Sequence, residues 1–164
     1  MATHNPFQGM SEAKANKSGT YYPPNFRGLV RIKNIQLVNS QQKNAEYYVI
    51  ETEILESTSH PDLCGLERSV LYDFAHGKTT LANIRAFLAS AMQVPYDEVG
   101  DQDGLLSCQQ EVVEGGKKVV IPSPFVGVEL RLETLPHTTK KGGDFTLHRW
   151  GSFDGSAPEE EVQS

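Results

Sequence analysis

Residues 45–56 alternate with a period of two: Tyr48, Ile50 and Ile54 share one parity, and Tyr47, Val49, Glu51 and Glu53 share the other. That period marks a strand with one buried face. Residues 27–38, just before it, are rich in β-branched and aliphatic side chains, with Arg31 and Lys33 on one parity. Residues 39–44 are a polar cluster that predicts a turn between the two strands. Within the first strand the apolar parity switches, from Val30 and Ile32 to Ile35 and Leu37. A bulge near Asn34 would bring both pairs to the core of a strongly curved strand. The alternative is a strand buried on both faces at one end. Arg31 and Lys33 need solvent or a ligand on their face, which favours the bulge.

Further along, residues 66–74 (LERSVLYDF) predict a third strand with Arg68, Val70 and Tyr72 on one parity. Leu81, Ile84, Phe87, Leu88 and Ala91 recur at three- and four-residue spacing, the apolar stripe of a helix. Thr79 or Thr80 is the expected N-cap and Pro95 the expected stop. Residues 96–125 are acidic at first, with Asp101-Gln102-Asp103-Gly104 reading as a solvated turn. A hairpin around Gly115-Gly116 then pairs residues 109–113 with 118–121. Residues 126–134 alternate, with Val128, Leu130 and Leu132 inward, and a loop over 135–143 leads to a last strand at 144–150. Gly28, early in the first strand, marks a bulge or a sharp coil. The order is strand, strand, strand, helix, strand, strand, with an insertion at 96–125. A helix between the third and fourth strands of a five-stranded Greek-key barrel is the OB-fold arrangement. The expected fold is therefore mainly β: a five-stranded OB-fold barrel over residues 21–153 with an extra hairpin.

Both ends differ from this body. Residues 1–20 are polar and aperiodic, which predicts a flexible arm, and residues 154–164 are acidic and predict a disordered tail. The hydrophobic content of 38% is low and fits unpacked ends. The net charge of −6 argues against binding duplex by bulk positive charge, but leaves room for a local basic groove. Cys64 and Cys108 form neither a disulfide framework nor a metal-ligand pair. No apolar run approaches the roughly 20 residues of a membrane span, and no signal-peptide core opens the chain, so a cytoplasmic protein is expected.

Little in the sequence points to catalysis. Gly77-Lys78-Thr79-Thr80 looks like the end of a phosphate-binding loop, but the position five residues before Gly77 holds Tyr72 instead of glycine. A turn before the helix is the preferred reading. The histidines lack paired ligand spacing, and the serines lack a nucleophile context. Neither an enzyme nor a cofactor is expected. The aromatic and basic residues carry more. Tyr47, Tyr72 and Trp150 are interleaved with Arg27, Arg31, Lys33, Arg68, Lys78, Arg131, Lys140, Lys141 and Arg149. Single-strand binders combine rings that stack on bases with cations that track phosphates. For Tyr72 core packing is the better reading; for Tyr47 and Trp150 stacking and core packing both stand.

The element order, the Tyr-Tyr-x-x-x-Phe-Arg-Gly opening, GLERSVLYDF and the acidic end together make most of residues 21–150 resemble the single-stranded DNA-binding proteins of tailed bacteriophages, the insertion at 96–125 having no counterpart there. That resemblance implies sequence-independent coating of single-stranded DNA during phage replication or recombination, in the host cytoplasm. It also implies that the acidic tail contacts replication or recombination proteins or competes for the groove, although Glu159-Glu160-Glu161-Val162-Gln163-Ser164 lacks the terminal proline and aromatic residue of the bacterial version. A barrel that binds a host polymerase or nuclease is the second expectation.

Overall fold

The computed structural model describes residues 21–40, 42, 44–138 and 144–152. The arm at 1–20, the tail at 154–164, and Lys140 and Lys141 lie outside the described residues. The strands are β1 (Arg27–Ser40), β2 (Ala45–Ser57), β3 (Glu67–Asp73), β4 (Gln110–Glu114), β5 (Lys117–Ile121), β6 (Glu129–Thr138) and β7 (Asp144–Ser152). Two helices, α1 (Lys78–Met92) and α2 (Asp101–Leu106), lie between β3 and β4. One antiparallel sheet has the order β3-β2-β1-β6-β7, and β4 and β5 form a separate two-stranded sheet. The class is mainly β, with the helix between the third and fourth strands of the large sheet as expected.

The bulge in β1 is present. Ile32 pairs with Thr52 and Asn34 with Glu51, so Lys33 is the extra residue. The phase shift puts Val30, Ile32 and Ile35 all in the core. Leu37 is the exception: it lies 44% exposed, although Tyr48 opposite it on β2 is buried. Gly28 allows close strand approach. A Cβ there would meet the carbonyl of Glu56 and stand 2.7 Å from Phe26 Cζ.

The core gathers one face of the large sheet against α1. Tyr48, Ile50 and Ile54 from β2, Val70 and Tyr72 from β3, Leu130 and Leu132 from β6 and Trp150 from β7 meet Ile84, Phe87 and Leu88. Among the described residues β3 and β7 share no ladder. Side chains join them instead: Trp150 Nε1 donates to the Tyr72 hydroxyl at 3.0 Å.

Several expectations need correction. Gly77, not Thr79 or Thr80, holds the N-cap position; Thr80 lies inside α1, where its hydroxyl donates to the Asp73 carbonyl. The helix ends on Gln93 in the left-handed conformation, ahead of Pro95, with Val94 N–H donating to Ala89 O. Leu81 of the apolar stripe is 57% exposed, near the N-terminal end of α1. Asp101-Gln102-Asp103-Gly104 is the start of α2, and the Asp103 carboxylate accepts the Gly100 N–H. β6 continues to Thr138, so much of the expected 135–143 loop is strand.

Candidate nucleic-acid interface

The solvent side of β1–β2–β3 is set by the parity opposite the core. Cross-strand rows run Val38, Tyr47, Asp73; then Gln36, Val49, Leu71; then Asn34, Glu51, Ser69; then Arg31, Glu53, Glu67. Tyr47 is half-buried among these neighbours, with Val49 and Leu71 forming an apolar strip beside it. Acidic residues occupy the far end. Val49 already shared the outward parity of Tyr47 in the sequence; Val38 and Leu71 were not singled out, because their place emerges only from the register.

The expected cations fall into three groups. Four are held by carboxylates. Arg31 lies 3.5 Å from Glu53 and 3.2 Å from Glu129, and Lys33 lies 3.9 Å from the same Glu53 oxygen. Arg27 and Arg149 share Glu133 at 3.0 and 3.7 Å. These pairs are solvent-facing, so each adds little to stability. Two more are exposed and sit on different elements: Lys78 opens α1, and Arg131 lies on β6. The third group consists of Arg68, which is only 7% exposed. It shares the parity of Val70 and Tyr72, and its Nη1 donates to the Glu67 carbonyl at 2.8 Å. Arg68 is thus a structural residue and leaves the candidate interface.

Two of the three aromatic candidates leave it as well. Trp150 is 2% exposed, pairs with Leu132 across the ladder, and packs edge-on against Phe87 at 4.8 Å. Its carbonyl accepts from Ser90 Oγ. Tyr72 is 6% exposed, and burial pushes its hydroxyl well above the usual tyrosine range. A ring that stacks on a base must reach solvent, and neither does. Tyr47 alone remains.

Beside Arg27 and Glu133 lies a cleft of about 330 Å³, also lined by Asn25, Thr58, Ser59, Thr134 and Leu135. Among the described residues no group of three or more His, Cys, Asp or Glu is placed to hold a metal ion. No described helix is long and apolar enough to cross a membrane. Comparison with protein-family models, with curated proteins and with solved structures finds no match to this chain.

Proposed function

We propose that this domain is an OB-type barrel that binds single-stranded DNA without sequence preference on the outer face of β2 and β3. The observation that carries the reading is the strand order β3-β2-β1-β6-β7 with α1 between β3 and β6. OB-folds place oligonucleotides on the face of their second and third strands and on the flanking loops. That face here carries Tyr47 beside Val38, Val49 and Leu71. Stacking supplies the binding energy and phosphates supply less, since Arg27, Arg31, Lys33 and Arg149 must each exchange a carboxylate for a phosphate. The resemblance to phage single-strand binders supports a role in phage DNA replication or recombination, in the host cytoplasm.

Fluorescence anisotropy with a labelled oligo-dT at several salt concentrations tests this. Log affinity falls with log salt by about 0.7 per phosphate neutralised, so exchange of those four cations gives a slope of about −3. No binding at low salt, or duplex bound as tightly as single strand, overturns the reading. A second reading, a barrel that binds a protein partner, is favoured by the pairing of those same four cations with glutamates. It predicts no oligonucleotide binding at any salt.

A further inference from the structure

We propose that two copies of this chain associate through the free edge of β5, forming a four-stranded antiparallel sheet about a two-fold axis at Val119. The inference does not depend on the nucleic-acid reading. β4 and β5 stand apart from the large sheet, and an isolated two-stranded hairpin is at best marginally stable in water. This one also exposes apolar side chains: Val113 is 72% exposed, Val120 51% and Ile121 47%. It is nevertheless fixed at its base, where Asn34 Nδ2 donates to Gln109 Oε1 at 2.6 Å and Asn34 Oδ1 accepts from Ser123 N–H at 3.1 Å. A held finger with bare valines has the form of a docking element.

The register identifies the available edge. Gly115 and Gly116 both have positive φ, the backbone of a two-residue type I′ turn. Glu114 and Lys117 flank it and are a hydrogen-bonded pair, as by alternation are Val112 with Val119 and Gln110 with Ile121. Lys118 and Val120 therefore direct their N–H and C=O groups away from β4. A second β5, running antiparallel, accepts them in the register Lys118 to Val120, Val119 to Val119 and Lys117 to Ile121.

Charge argues for a second copy as the occupant. The hairpin's Glu111, Glu114, Lys117 and Lys118 cancel, whereas the whole chain carries −6. In the two-fold register no lysine stands opposite a lysine. Each Lys118 stays 3.8 Å from its own Glu111 and stands opposite Val120 of the other copy, so no like charges face each other across the dyad. On the opposite face Val112 and Val119 of both copies form one continuous row of four. Antiparallel pairing also sets the two globular bodies at opposite ends of the new sheet, which a head-to-tail pairing of β5 with β4 would not.

Sedimentation velocity of the full chain over a concentration series is the first test: the expected mass rises toward twice that of the monomer. Val120→Pro removes an outward donor without touching a bond of the hairpin, so it should hold the protein monomeric. Val113→Pro does the same on the β4 edge and should leave dimerisation intact. Equal effects of the two prolines overturn the assignment, as does a wild-type protein that stays monomeric throughout, which would give the hairpin to a different macromolecule. Cross-linking keeps the proposal falsifiable should a proline variant not fold. Directly opposed residues of a non-hydrogen-bonded pair have Cα atoms roughly 4.5 Å apart, within disulfide reach. In a Cys64→Ser background, Val119→Cys should form a covalent dimer on mild oxidation and Val112→Cys should not. No cross-link at Val119, or an equal one at Val112, overturns it.

Discussion

The indole N–H of Trp150 and the hydroxyl of Tyr72 form a 3.0 Å hydrogen bond between β7 and β3, the two end strands of the large sheet. Both groups are buried, so neither has water as a substitute. Tyr72→Phe leaves a buried donor without its acceptor, a loss of about 1–3 kcal/mol. Urea denaturation should show that drop. Trp150→Phe combined with it should cost less than the sum of the two single changes. Trp150 emission in the native protein should resist acrylamide quenching and stay constant as oligonucleotide is added.

Tyr47 is the ring that can respond. If it stacks on a base, Tyr47→Ala should weaken oligo-dT binding by about 1–3 kcal/mol while the melting temperature barely moves. Anisotropy titration and a thermal melt read the two effects separately.

The outward and inward tyrosines of β2 were separable in the sequence because a strict period of two leaves no freedom once one member is buried. The bulge at Lys33 was legible for a related reason: Val30, Ile32 and Ile35 cannot all face inward without an extra residue. Trp150 was not legible. Its parity on β7 depends on pairing with β6, and the loop before it hid the register. Arg68 misled because charge normally implies solvent; its alternation with Val70 and Tyr72 was the better guide. The ion pairs of Arg27 with Glu133 and of Arg31 with Glu129 join strands from opposite ends of the chain, those of Lys33 with Glu53 and Arg149 with Glu133 join neighbouring strands, and no local pattern contains them.

His148 contributes a pH dependence. It packs against Tyr72 with ring centroids 6.0 Å apart, and burial pushes its pKa down from 6.5 to about 4. Between those values the unfolded chain holds a proton that the folded chain excludes. Stability is therefore complete above about pH 6.5 and falls as pH drops toward 4, because stability rises with pH wherever the unfolded state binds more protons. Denaturant midpoints across that interval should slope accordingly, and His148→Gln should flatten the slope.

Gly28 permits the approach of β1 to β2. In Gly28→Ala the new methyl would press on the Glu56 carbonyl and on the ring of Phe26, 2.7 Å away. Backbone cannot yield as a flexible side chain would, so a destabilisation of about 1–3 kcal/mol is expected. Differential scanning calorimetry should record it as a lowered melting temperature.

Asn34 ties the insertion to the sheet through Gln109 and Ser123. Asn34→Ala should raise amide exchange over residues 110–121 while leaving β2 and β3 protected, the pattern of a locally released unit. Hydrogen exchange read by mass spectrometry resolves the two regions.

One side chain touching both Gln109 and Ser123 also means that the points where the chain leaves the main body of the fold and returns to it are neighbours. Whatever lies between them is a closed excursion, and the entropy of closing such an excursion grows only slowly with its length. Residues 110–122 are thus a natural splice site. A short linker, a longer loop or a foreign recognition sequence could occupy that position while Asn34 keeps the seam shut, so this part of the surface can be rewritten without renegotiating the rest of the fold.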